Sequence, residues 1–184
     1  MKKIMFNDKF LLTQAVLNGT KTMTRRLLKE GTPLGNWEET AKCLPYKVGD
    51  IVAIAQPYKD IIECMAEYSD IIINVDGSIN REYKAGWTNK MFVKANLMPH
   101  HIKNTDVRIE RLQDITEEDC LKEGVWQYYD NKNLFYVSKN IGYAPDVAFL
   151  SAREAFWYLI DKICGKGTWE SNPWVGAYTF ERVD

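Results

Sequence analysis

Apolar and polar positions along the chain follow two periods, and these predict the elements. Between residues 8 and 18, Phe10, Leu11, Val16 and Leu17 form one apolar face; Asn7 or Asp8 supplies a cap and Gly19 a stop, which predicts a first helix. Over residues 20–28 (TKTMTRRLL) the period changes to two, with Thr22, Thr24 and Arg26 on one face and Met23 on the other, which predicts a strand. Residues 27–47 hold two prolines and two glycines and read as a connecting loop. Residues 48–56 (VGDIVAIAQ) are a turn followed by a nearly continuous apolar strand of the kind found at the centre of a sheet. Asp76-Gly77 inside residues 70–83 is a hairpin signal, and residues 89–98 read as a further strand.

Residues 104–115 alternate, with Val107 and Ile109 on one side and Arg108 and Glu110 on the other. Thr116 then caps a short helix with three acids in its first turn, ended by Gly124. Residues 126–145 are aromatic and irregular. The clearest helix opens at Ser151, whose spacing to Glu154 is that of a capping box; Ala152, Ala155, Phe156, Leu159, Ile160 and Ile163 make its stripe and Gly165 ends it. Residues 172–183 close as a turn and strand. With no internal repeat, low-complexity tract or long linker, this pattern predicts a single α+β domain over residues 1–184, its mostly antiparallel strands curled into a barrel under about three helices.

Composition narrows the class. The 184 residues suffice for one sizeable core, and 46% hydrophobic with 27% charged residues is ordinary for a globular chain. No apolar run approaches the roughly 20 residues of a membrane span, and the start MKKIMFNDKF lacks the apolar core of a signal peptide. Cys43, Cys64, Cys120 and Cys164 form no C-x-x-C pair, so reduced thiols and a cytoplasmic setting are expected. His100 and His101 are adjacent with no ligand spacing to Cys or a further His, so no metal is expected, and nothing calls for a cofactor or a membrane. The chain is expected to be monomeric.

The net charge of −1 is uneven. Residues 1–30 carry seven Lys or Arg against two acids and residues 81–111 seven against three, while residues 57–80 and 112–184 are acidic. Two readings stay open: a phosphate-binding face, or charges spread over a solvated surface. Trp126, Tyr128, Tyr129, Phe135 and Tyr136 likewise suit either base stacking or loop packing, whereas Phe156, Trp157 and Tyr158 follow the helical stripe into or near the core.

The candidate chemistry starts at NGTKTMTRR, residues 18–26. Gly19, Lys21, Thr24 and Arg26 fit G-x-K-x-x-[E/T]-x-R at the end of the first helix, which resembles the signature of the ASCH domain family within the PUA-like superfamily. VGDIVAI resembles that family's barrel strand, DVRIERLQDITEEDCLKEGV its strand-to-helix unit, and WESNPWVGAYTFE the longer versions met in bacteria and phages. The resemblance covers most of residues 1–30, 47–56, 104–125 and 151–182; residues 57–103 look like an insertion. It implies a PUA-like small β-barrel with about three flanking helices and a cleft that recognises RNA or a modified nucleoside, Thr22, Arg25 and Arg26 being the binding residues.

One compact branch of the family hydrolyses the acetyl amide of N4-acetylcytidine with a Thr, a Lys and a Glu. By motif these correspond to Thr24, Lys21 and Glu123. Amide hydrolysis needs a nucleophile, a base and an acid for the leaving amine: Thr24 as nucleophile, Lys21 as base, Glu123 as acid or as the group orienting Lys21, and Arg26 at substrate or oxyanion. Lys21 must then titrate far below the usual value of about 10.4. Burial, Arg25 and Arg26 push it down, and the end of the preceding helix pushes it up. Each residue also has a plain structural reading: Lys21 as a helix-dipole partner, Thr24 as a strand former. Glu123 is different, because a carboxylate in a last helical turn opposes the dipole and calls for compensation, which residues 21–26 can supply. Trp169, Asn172, Pro173 and Trp174 belong to the longer relatives. A third class, a phage or mobile-element accessory protein acting through protein contacts, remains beside nucleoside recognition and hydrolysis.

Overall fold

A computed structural model of the chain describes residues 1–64, 66–137 and 147–184. Along it run β1 (Lys2–Ile4), α1 (Leu12–Leu17), β2 (Met23–Leu27), α2 (Trp37–Cys43), β3 (Ile51–Ile54), α3 (Tyr58–Cys64), α4 (Ser69–Ile72), β4 (His101–Arg111), α5 (Glu117–Lys122), β5 (Trp126–Gln127), β6 (Phe135–Tyr136), α6 (Ala152–Cys164), α7 (Thr168–Ser171) and β7 (Trp174–Arg182). The strands pair in the order β1-β3-β4-β7-β2, a five-stranded mixed sheet, with β5 and β6 as a separate pair. The chain is thus a mixed α+β fold. It divides into two compact units: Met1–Phe6, Ile51–Lys103 and Arg182–Asp184 in the first, Asn7–Asp50 and Asn104–Glu181 in the second.

In the first unit β1 runs parallel to β3, Lys2 opposite Val52, and β3 pairs antiparallel with the start of β4, Val52 opposite Ile102. Ala53, Ala55, Tyr58, Ile61, Ile72 and Val93 are among its buried core. The turn expected at Asp76-Gly77 forms, with the Asp76 carboxylate accepting from the Ser78 N–H and hydroxyl, but its flanks shrink to one bridge between Ile73 and Ile79 because residues 69–72 coil into α4. The strand expected at residues 89–98 is replaced by two 3₁₀ turns, Lys90–Phe92 and Ala95–Leu97. Asn89 caps the first by accepting from Met91 N–H, and the Lys3 ammonium donates to the carbonyls of Met91 (2.6 Å) and Val93 (2.8 Å). An ammonium and a side-chain cap meet the backbone groups that a neighbouring strand would have met. His100 pairs with Asp184 at 2.9 Å.

In the second unit β2 is antiparallel to β7, with Thr24 opposite Tyr178, Arg25 opposite Ala177 and Arg26 opposite Gly176. Helix α1 begins four residues later than its pattern suggests. Asn7 and Asp8 support a turn instead, accepting from Phe10 N–H and the Thr13 hydroxyl, and Leu11 takes a left-handed φ of 54° before the helix starts. The loop expected over residues 27–47 contains α2, capped by Asn36 and carrying Glu38 and Glu39 in its first turn; it buries Thr40 alone, so no apolar period betrays it. Thr116 caps α5 and Ser151 caps α6 as expected, but the Glu154 carboxylate accepts from Leu150 N–H. The stripe of α6 is buried except Ile163, and Trp157 is also exposed. Residues read as irregular over 126–145 contain the β5–β6 pair, in which Trp126 stacks on Tyr136 at 4.9 Å; positions 138–145 lie outside the described residues. Among the described residues no helix is long and apolar enough to cross a membrane.

Candidate functional site

Lys21 sits between two helix ends. Past α1 the chain turns at Gly19, whose φ of 73° favours glycine, and the N–H groups of Thr20 and Lys21 both donate to the Ala15 carbonyl. The Thr22 N–H then donates to the Lys122 carbonyl at 2.9 Å, tying the start of β2 to the last turn of α5. These bonds set the Lys21 side chain against α5. Its ammonium donates to the Glu123 carboxylate at 2.7 Å and to the Glu123 backbone carbonyl at 2.6 Å. It therefore caps α5, not the helix that precedes it in sequence, and both the carboxylate and the free carbonyl of that helix end are satisfied.

Arg25, four residues on and within β2, completes the arrangement. Its guanidinium donates to Glu110 on β4 (2.8 Å), Asp119 on α5 (2.9 Å) and Glu123 (3.1 Å). Arg108 donates to the same Asp119 oxygen at 2.9 Å. Lys21, Arg25 and Glu123 are only 2, 6 and 4% exposed, so the charges are matched inside the protein. Burial pushes the Lys21 ammonium below its usual value; attraction and a hydrogen bond from Glu123 oppose the fall, and Arg26 and Arg25 add to it. Burial alone would raise the Asp119 carboxyl, but hydrogen bonds from Arg25 and Arg108 outweigh it and hold the group below the ordinary range.

The residues expected to act together are thus joined in part. Lys21 and Glu123 meet. Arg25, expected to face a ligand, is turned inward onto three carboxylates. Thr24 is buried on β2, and its register opposite Tyr178 sets it on the face that alternates with Arg25; no hydrogen bond joins its hydroxyl to Lys21 or Glu123 among the described residues. Arg26 is half-buried on the Thr24 face and Thr22 is half-buried at the strand's start. Glu110 and Asp119 were visible in sequence only as a polar strand face and as one of three first-turn acids. Reading Arg25 as a buried cation in need of counter-charges would have singled them out.

Other candidates fall elsewhere. Trp126, Tyr128 and Tyr136 pack on one another. A cavity of about 340 Å³ beside α6, walled by Phe149, Trp157 and Tyr158, contains none of the motif residues. Among the described residues no group of three His, Cys, Asp or Glu side chains is placed to hold a metal ion. No family model, curated protein or solved structure matches the chain.

Proposed function

We propose that the chain recognises a modified pyrimidine nucleoside in a polar cleft beside β2 and α5, as its resemblance to ASCH domains implies, with its strands curled in the PUA-like manner and residues 57–103 as an insertion. The carrying observation is the buried Lys21–Glu123 pair, which joins two positions 102 residues apart that the resemblance to the hydrolysing branch selects. Arg25 supports a small ligand over an RNA strand, because a guanidinium buried among three carboxylates is turned away from backbone phosphate. The same resemblance, with reduced thiols, supports a cytoplasmic setting.

Hydrolysis of an N4-acyl cytidine is the second reading, favoured by the lowered Lys21 ammonium. In it the Thr24 oxygen bonds to the acyl carbon, the C–N bond breaks, and the amine leaves with a proton from the Lys21–Glu123 pair; water then cleaves the Thr24 ester to release acetate. This requires a proton path from Thr24 to Lys21 that no direct hydrogen bond supplies here.

Calorimetric titration with cytidine, N4-acetylcytidine and a short single-stranded RNA, with acetate release followed in parallel, separates these readings. The proposal expects saturable binding of N4-acetylcytidine that weakens about tenfold or more in Arg26→Ala. Acetate release that is lost in Thr24→Ala, Lys21→Ala and Glu123→Ala establishes the hydrolase. Binding of RNA alone, or of none of the three, overturns the nucleoside reading.

A further inference from the structure

On the Thr24 face of β2 and β7 the second unit carries a buried polar group that the Lys21–Glu123 network does not use. The Tyr178 side chain is fully buried, and its hydroxyl has no hydrogen-bond partner among the described residues. Buried hydroxyls are nearly always paired, so an unpaired one calls for an explanation. Its placement is specific. A Cβ built on Gly176 would lie 3.0 Å from the Tyr178 hydroxyl, so the phenol lies in the space that a side chain at position 176 would fill. The residue opposite Gly176 is Arg26, and the residue opposite Tyr178 is Thr24. The missing side chain therefore brings the phenol end toward the Arg26 position, on the face that also carries Thr24.

The chemistry of the cluster is that of donors. Burial, then the neighbouring Tyr46, push the Tyr178 phenol up to about 12 against the pull of Arg26, so it stays neutral and keeps its proton. Tyr46 packs edge-on to the Tyr178 ring at 5.7 Å and fixes its plane. Arg26 is half-buried, and its position is on this same face of β2. A neutral phenol and a guanidinium on one face suit an oxygen that is rich in electrons but is not itself a proton donor.

We infer that Tyr178 and Arg26 form a subsite for a carbonyl oxygen of the bound nucleoside, with Gly176 kept small so that the phenol can reach it. This rests on the nucleoside reading above. The oxygen belongs either to the N4-acyl group or to the pyrimidine ring. Under hydrolysis the acyl case places a donor at the oxygen where negative charge develops when Thr24, on the same face, attacks.

The test uses the full chain labelled with carbon-13 at the tyrosine Cζ, the Tyr178 resonance being assigned by its loss in Tyr178→Phe. The probes are N4-acetylcytidine, cytidine and acetamide. Tyr178→Phe removes one unpaired oxygen and leaves the ring, so its melting temperature should stay level or rise. The subsite predicts a saturable shift of the Tyr178 resonance and about tenfold or greater loss of affinity in Tyr178→Phe. Loss for N4-acetylcytidine alone assigns the acyl oxygen, and equal loss for cytidine assigns the ring oxygen. Gly176→Ala, which pushes a methyl against the phenol, should weaken the same probes in a folded protein. If the nucleosides bind Tyr178→Phe as tightly as wild type and leave the resonance still, the subsite is wrong while nucleoside recognition stands. If acetamide moves the resonance and neither nucleoside does, the subsite stands and the nucleoside reading falls. If no probe moves it, the subsite is overturned.

Discussion

Arg25 is held by Glu110, Asp119 and Glu123 with its side chain 1% exposed, so its contribution depends on all three partners staying charged. Replacing it removes one cation from among three carboxylates, and uncompensated buried charge costs about 3–5 kcal/mol. Arg25→Met should therefore lower stability by about that amount in urea unfolding; a loss within about 0.5 kcal/mol, the size of an ordinary surface substitution, would mean the network is not buried in solution. Asp119 gives the pH dependence. Its carboxyl is held below the ordinary value, so below about pH 3.9 the unfolded chain binds a proton more readily than the folded one, and stability rises with pH there. The advantage of wild type over Asp119→Asn should be full above about pH 5 and shrink as pH falls further. Urea midpoints that run parallel for the two proteins down to acid pH would contradict this.

At the scale of elements, Gly124 links α5 to the site. Its φ of 101° suits glycine, and an added Cβ would lie 2.9 Å from a Leu12 methyl and 3.6 Å from Lys21 Cδ. Gly124→Ala should cost about 1–2 kcal/mol in backbone strain and move Lys21 relative to Glu123; an unchanged melting temperature would refute the tight approach. Gly124 was legible in the sequence as a helix stop, and so were the capped helices at Thr116 and Ser151, because capping residues and apolar spacing are local signals. Residues 89–98 misread as a strand because their apolar spacing is real, whereas the Lys3 ammonium that binds their carbonyls lies 88 and 90 residues away. Helix α2 escaped because it buries only Thr40. The site divides along the same line. Lys21 and Glu123 stood out through the motif, while Glu110, Asp119 and Tyr178 matter only through partners that the fold supplies.

For the whole molecule, a net charge of −1 means that bulk attraction to polyanions is weak, and recognition has to come from local groups. Binding of an uncharged nucleoside should then change little between low and high salt, whereas an RNA strand bound through its phosphates would lose affinity with a slope of about −0.7 per contact in a plot of log K against log salt. The most direct test of the account is a backbone amide chemical-shift map of the full chain during titration with N4-acetylcytidine. Saturable shifts are expected at residues 21–27, leading into and along β2, and at 119–124 around α5. Shifts confined to residues near Phe149, Trp157 and Tyr158, or no saturable shift at all, would contradict it.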